Sequence, residues 1–206
     1  MKTKLKEVLI MERYCIAISR EYGSGGRLIG KKLAEDLGVK FYDRELISLI
    51  AKETGFDEGY VEAASETAGS PFMYGIYGYA NMPVADQIYL AESKVILDLV
   101  EKETFVIIGR NAAGVLADNK SAMSMFIHAP LEYRVNFVKE NYNVESEKIN
   151  KEIARVDKRR DDYIRCYSGR GWKDMSNYDL SINSSIGVDA SVEVIKKYVE
   201  GFMKKQ

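Results

Sequence analysis

Residues 19–30 read Ser19-Arg20-Glu21-Tyr22-Gly23-Ser24-Gly25-Gly26-Arg27-Leu28-Ile29-Gly30. The apolar run Cys15-Ile16-Ala17-Ile18 precedes this stretch. Leu28, Ile29, Leu33, Ala34 and Leu37 then recur at helical spacing up to a stop at Gly38. A glycine-rich turn between a strand and a helix is an arrangement that holds phosphate. Glycines let the backbone turn sharply and approach closely, and the turn amides and the helix N-terminus point at the anion. The common phosphate loop is G-x-x-x-x-G-K-[ST]. Aligned on the strand, Arg20 stands at its first glycine, Gly25 at the second, Gly26 at the lysine and Arg27 at the Ser/Thr. The cradle of Gly23, Ser24, Gly25, Gly26 and Arg27 is kept, while the lysine and the magnesium-binding hydroxyl are not. Arg27 is a candidate for the missing charge, and Ser24 or Ser19 for the hydroxyl. Two other readings stay open. One is a dinucleotide loop: Gly23-x-Gly25 is followed by Gly30, and Asp43 lies about 20 residues on, where a ribose-binding acid is expected. Its strict spacing needs glycine at Leu28. The other is a glycine turn that binds nothing.

The bulk properties narrow the class. The chain has 206 residues, 46% of them hydrophobic, which suits one domain with a sizeable core. A net charge of -1 gives no global basic field for nucleic acid. Cys15 and Cys166 lie far apart without metal-ligand spacing, so packing in a reduced compartment is the simple reading. The N-terminal MKTKLKEVLIMERYC lacks the uninterrupted apolar segment and cleavage site of a signal peptide. No window of about 18 apolar residues suggests a membrane span. The expectation is a cytoplasmic protein. His128 is the only histidine, which argues against a histidine triad or a multi-histidine metal site.

Further along, Val39–Asp43 reads as a second short strand and Glu45–Thr54 as a helix, with another helix around Asp57–Thr67. Gly69–Pro83, rich in glycine and tyrosine, reads as a loop, flap or packed aromatic patch. Ala85–Glu103 is a long amphipathic helix. Phe105–Ile108 is a buried strand that ends at Gly109-Arg110-Asn111. The alternation continues with MSMFIHA as strand, Leu131–Glu140 as helix, Glu145–Tyr167 as a charged helix, YDLSINSS as strand and Ala190–Met203 as helix. Such alternation predicts a three-layer α/β/α fold around a parallel sheet. Ligands then collect beyond the carboxyl ends of the strands, an edge that brings the glycine loop, Asp43 and Arg110 together.

Residues 154–165 read ARVDKRRDDYIR. Arg155, Arg159 and Asp162 share a helical face, as do Lys158, Asp162 and Arg165. Phosphoryl transfer depends on positioning and on stabilising charge on the moving group, and arginines do both. The plainer reading is a solvated helix carrying internal ion pairs of small energetic value.

Taken together, IAISREYGSGGRLIGKKLAEDLGVKFYDRELI, GRNA, FIHAPLEYRV, VDKRRDDY and YDLSINSS resemble, in order and over nearly the whole chain, the cytidylate kinase-like family. The resemblance implies a single phosphate-loop nucleoside monophosphate kinase-like domain. Residues 14–54, 85–135 and 176–206 would form its core, 55–84 an acceptor-binding part or flap, and 145–175 a helical lid. It implies ATP-dependent phosphoryl transfer, with magnesium, to a nucleoside monophosphate or similar small acceptor. By similarity, Ser24 to Arg27 would cradle the donor phosphates, Arg110 with Asn111 and Asp43 would hold the acceptor, and Arg159, with Arg155 or Arg165, would close over the transferred group. Ser24 or Asp43 would be the magnesium ligand. The sequence departs from the family pattern at Gly26-Arg27 for the GKG element, at Asn111 for the acid of G-R-D, and at Arg160 for an acid of the lid. The competing functions are a nucleotide-binding module without catalysis and an NAD(P)-dependent oxidoreductase. Expected partners are ATP and a small acceptor, with no nucleic acid or membrane and with a homo-oligomer left open.

Overall fold

The computed structural model describes residues 13–64, 82–142 and 144–205. Strand β1 (Cys15–Arg20) leads into helix α1 (Gly26–Leu37), then β2 (Lys40–Tyr42), α2 (Glu45–Thr54) and α3 (Glu58–Ala64). After the break come α4 (Val84–Val100), β3 (Phe105–Ile108), the short α5 (Ala112–Val115), β4 (Ala122–His128), α6 (Leu131–Asn141), α7 (Ile149–Ser168), β5 (Leu180–Asn183) and α8 (Val188–Met203). Every strand pairing is parallel, and the order across the sheet is β2-β3-β1-β4-β5.

β1 lies in the middle because it can be buried on both faces, which is why it reads as a continuous apolar run rather than an alternating one. Its pleat divides the core. Cys15 and Ala17 join Phe105 and Ile107 under α2 and α4. Ile16 and Ile18 join Val106, Ile108, Met125 and Ile127 under α1 and α8. Burial pushes the Cys15 thiol well above its ordinary pKa, as suits a packing residue. The three-layer α/β/α architecture is therefore as the alternation predicts. Because β3, not β2, lies beside β1, the order differs from the 3-2-1-4 arrangement of dinucleotide-binding sheets, which sets that reading aside.

α1 opens at Gly25 (φ 74°) and closes at Gly38 (φ 66°), whose amide caps Ala34 and Glu35. β3 hands over to Gly109, Arg110 and Asn111, all left-handed at φ 74°, 57° and 52°. Arg110 and Asn111 are the positive-φ residues other than glycine among the described residues. Each bears roughly 1–2 kcal/mol of backbone cost that the surroundings must offset. The tyrosine-rich segment falls almost entirely outside the described residues. Of it only Met82, which is buried, and Pro83 are seen. The expected lid is docked onto the core through α7, where Val156, Asp157 and Tyr163 are buried, and Trp172 beyond it is buried too. No helix among the described residues is long and apolar enough to cross a membrane.

Candidate functional site

The glycine loop leaves β1 tied on both sides. Glu21 donates its amide to the Ile127 carbonyl at 2.9 Å. Tyr22 donates its amide to Asp157 Oδ1 of α7 at 2.8 Å. Gly23 has φ 79°, and a Cβ there would lie 2.7 Å from the Arg134 carbonyl oxygen of α6. A Cβ on Gly25 would lie 3.2 Å from the Phe137 ring. These two glycines are required by the left-handed backbone and by the close approach of α6. Ser24 is fully buried, and its hydroxyl donates to the Glu21 carbonyl at 2.9 Å. Ile29 is the first α1 residue to bond back into the helix, to Gly25. The amides of Gly26, Arg27 and Leu28 therefore stand at the helix N-terminus outside its own ladder, the usual seat for an anion.

At position 26, where a phosphate loop carries lysine, a Cβ would stand 2.6 Å from Arg20 Cβ and 3.4 Å from Ile127 Cβ. The place is closed by the Arg20 side chain. Arg27 lies elsewhere. Its Nε donates to Asp43 Oδ2 at 2.6 Å, with the arginine side chain 54% exposed. That hydrogen bond and the charge of Asp43 raise the Arg27 pKa further. Asp43 and Arg27 are brought together, as the sheet-edge argument expects, and they meet as a pair.

Beside the loop, a narrow cleft opens between the ends of β1 and β3 and helix α7. Arg20, Arg110, Asn111, Arg160, Tyr163 and Trp172 all line it. Arg110 Nη1 donates to Glu92 Oε1 at 2.8 Å, and the Tyr163 hydroxyl donates to Glu92 Oε2 at 2.6 Å. Glu92 is fully buried in α4, so its charge is compensated from both sides. Burial first, and the neighbouring Glu92 charge second, push the Tyr163 pKa well up, so this hydroxyl stays a proton donor. Arg160 Nη1 donates to the Arg20 carbonyl at 2.9 Å, and its guanidinium carbon lies 5.9 Å from the centre of the Tyr22 ring. Asn111 is 3% exposed, and its amide nitrogen has no partner among the described residues.

A second group of charges locks the loop in place. Arg134 reaches Asp157 Oδ2 at 2.6 Å and Glu21 Oε2 at 3.5 Å. Lys173 Nζ meets Glu21 Oε1 at 2.5 Å, and the Ala129 amide donates to Glu21 Oε2 at 3.2 Å. All four elements that meet here (the loop, α6, α7 and the segment after α7) are held by buried carboxylates.

The structure therefore sorts the sequence candidates. Arg110 and Asn111 face the cleft. Arg155 pairs with Glu152 at 2.7 Å and Arg165 with Asp161 at 3.2 Å, both on the exposed side of α7, and Arg159 is exposed as well. None of these three lines the cleft. Arg20, Arg160, Glu92 and Tyr163 were not singled out from sequence. For Arg160 and Tyr163 a signal exists, because Ile149, Ile153, Val156, Asp157, Arg160 and Tyr163 follow one inward stripe of α7. For Glu92 there is none beyond its place in an apolar helix.

A model of the cytidylate kinase-like family matches residues 15–186. A solved structure of an uncharacterized protein from Eubacterium ventriosum is 29% identical, with a TM-score of 0.69, over 91% of this chain and 99% of that one. Shikimate kinase from Acinetobacter baumannii, solved in complex with shikimate, is 16% identical with a TM-score of 0.51, over 93% and 95% of the two chains. Shikimate kinase from Bacteroides thetaiotaomicron is 15% identical with a TM-score of 0.53, over 91% and 98%. These last two show the shared P-loop kinase fold. Among the curated proteins no match is found.

Proposed function

The chain belongs to the cytidylate kinase-like family, and from that premise we propose that it transfers the γ-phosphoryl group of ATP to a nucleoside monophosphate or a similar small acceptor. Family and fold support nucleotide-binding phosphotransfer as the general activity. The observation that carries the finer reading is the cleft itself. Arg20, Arg110, Arg160 and a buried asparagine whose amide nitrogen has no partner among the described residues line one narrow cleft at the ends of β1 and β3. Such donors are of the kind that bind phosphate oxygens. The amides at the start of α1 take the donor phosphates. Arg110, aimed by Glu92 and by its left-handed backbone, takes the acceptor phosphate together with Asn111. No histidine is needed, because phosphoryl transfer rests on alignment and charge stabilisation rather than on a strong base.

Magnesium belongs to this reading as the companion of ATP. The chain offers it little. Ser24 directs its hydroxyl inward to Glu21, Arg27 replaces the usual hydroxyl residue, and Asp43 is engaged by Arg27. Among the described residues no group of three histidine, cysteine or carboxylate ligands is assembled. Ser24 does not fit the role. Asp43, partly exposed, is the remaining candidate, and the nucleotide phosphates would supply the remaining hold, as is common for this ion.

The test is direct. Purified protein is incubated with ATP and magnesium against CMP, dCMP, UMP and other monophosphates, and ADP and diphosphate product are followed. Transfer to at least one acceptor, with the acceptor KM raised in Arg110→Ala, is the expected result. The closed position 26 favours one other reading, a module that binds nucleotide without transferring phosphate. That reading predicts a higher melting temperature with ATP and no product with any acceptor.

A further inference from the structure

We propose that Arg27 takes the place of magnesium in the glycine loop, so that the chain binds the phosphate chain of a nucleoside triphosphate in its metal-free form. This rests on the phosphotransfer reading above and deepens it, naming the resident cation and the ionic form of the donor, and giving Asp43 to Arg27 rather than to the metal. Gly25 is the left-handed N-cap of α1 and Gly26 is the first residue of the helix. Arg27 therefore stands, in the fold as in the sequence, where the common loop carries the Ser/Thr whose hydroxyl binds magnesium. A guanidinium has five donors, no acceptor and no proton it readily gives up. It offers a metal ion no lone pair and repels it.

The oxygens that could hold the metal are turned to other work. In the common loop magnesium is held between that hydroxyl and an aspartate. Here the residue at the hydroxyl position bonds the aspartate itself, since Arg27 Nε donates to Asp43 Oδ2 at 2.6 Å. The carboxylate that would draw a dication already answers a cation of the chain. The next carboxylate, Glu45, accepts the Asp43 amide at 3.3 Å. Neither serine of the loop is exposed. Ser24 donates to the Glu21 carbonyl, and Ser19 is 5% exposed beside Tyr178. Arg27 keeps donors for an anion. Its bond to Asp43 is made through Nε, and the side chain that carries the two Nη groups is 54% exposed. A guanidinium fork can take two phosphoryl oxygens at once. The Arg27 amide also belongs to the first turn of α1, whose leading amides stand outside the helix ladder. One residue thus brings a backbone donor and a fixed positive charge to the same seat.

Isothermal titration with inorganic tripolyphosphate and with ATP, each in EDTA and in excess magnesium, reads binding without turnover. The wild-type affinities in the two buffers are expected to agree within about threefold. Arg27→Ser restores the hydroxyl of the common loop and releases Asp43. It is expected to lose at least about tenfold in EDTA and to regain most of that with magnesium. Arg27→Lys keeps a charge without the fork and should lose less in EDTA than Arg27→Ser. Lys31→Ala, on the exposed side of α1, is the control and should match the wild type in both buffers. Melting temperatures without ligand show whether each variant is folded; should Arg27→Ser not fold, the wild type in the two buffers and Arg27→Lys carry the test. Wild-type binding at least about tenfold tighter with magnesium, unchanged affinity in EDTA for a folded Arg27→Ser, or no binding in either buffer overturns the proposal. Turnover is scored separately. Metal-free binding that depends on Arg27, without transfer to any acceptor, upholds Arg27 as the cation and overturns the kinase reading. Transfer from a nucleotide that binds only with magnesium does the reverse.

Discussion

Helix α7 carries the same kinds of residue on two faces, and the two faces do different work. Outward, Lys158 meets Asp162 at 2.7 Å, Arg155 meets Glu152 at 2.7 Å and Arg165 meets Asp161 at 3.2 Å, each with an exposed cation and a partly exposed carboxylate. Inward, Asp157 takes the Tyr22 amide and Arg134, while Arg160 holds the Arg20 carbonyl and lines the cleft. The distances are alike, so distance does not separate the faces. Solvent does. An exposed pair exchanges one hydrated state for another and gains little. A buried charge has surrendered its hydration, so removing its closest partner leaves it undercompensated. The charge-rich segment that looks most like catalytic machinery in the sequence is mostly the outward face. The residues that reach the loop and the cleft are those that interrupt the apolar stripe of the inward one.

The hardest blow to this comparison comes from Asp157. Asp157→Ala strips Arg134 of its closest buried partner and Tyr22 of its acceptor. A loss of about 3–5 kcal/mol is expected in urea unfolding. Asp157→Asn keeps an acceptor for the Tyr22 amide and should lose less. A loss below about 1 kcal/mol in the alanine variant, the range of exposed pairs, would show that the inward network is no different from the outward one.

Arg160 and Arg159 sharpen the contrast at adjacent positions. Arg160→Ala is expected to lower kcat/KM by about 100-fold, or roughly 2.7 kcal/mol, the scale of one lost charge-stabilising donor. Arg159→Ala should fall well short of that. Melting temperatures taken alongside separate chemistry from folding. A larger effect at Arg159 would reverse the assignment of the faces and restore the sequence-based candidate.

Gly23 probes what the inward face is clamped to. Gly23→Ala forces a side chain into a left-handed backbone and against the Arg134 carbonyl. About 1–3 kcal/mol of stability should be lost, read by thermal or urea unfolding. A neutral result would mean that α6 yields easily and that the loop is not tightly packed beneath it.

Much of this was legible in the sequence. Buried runs such as Phe105–Ile108 and the glycine stops gave the strands and helices, and the positions of Asp43 and Arg110 at strand ends followed from the parallel sheet. The ion pairs at spacings of three and four on α7 were readable too. Two things were not. Reading Arg20 requires knowing that its Cβ meets position 26, a contact across the loop that no local pattern records. Reading Arg160 requires the phase of a helix whose charged residues outnumber its apolar ones. The stripe is visible in Ile149, Ile153, Val156 and Tyr163, but like charges at 159 and 160 compete for attention, and only burial separates them. Glu92 stayed hidden because a carboxylate within an amphipathic helix is ordinarily solvated, and the Arg110 and Tyr163 that bond it come from the turn after β3 and from α7.

The smallest effect belongs to Glu152 and Arg155, and it is the one that tests whether the outward face is as bland as claimed. The hydrogen bond from Arg155 leads in holding the Glu152 carboxyl below its ordinary pKa, with partial burial opposing it. A depressed carboxylate stabilises the fold above its unfolded pKa of about 4.3. That contribution is lost as pH falls through the lower folded value. The partners are 61% and 27% exposed, so the pair should be worth only about 0.3–0.5 kcal/mol. Glu152→Gln is therefore expected to cost that much in urea unfolding at neutral pH, and nothing once the solution is acid enough to protonate Glu152 in the fold. Added salt should shrink the difference further. A cost well above 1 kcal/mol, or one that persists in acid, would mean that Glu152 is doing more than answering Arg155. Arg159 also lowers the Glu152 pKa through its charge, so it would be the first residue to examine, and the division of α7 into two faces would have to be redrawn around it.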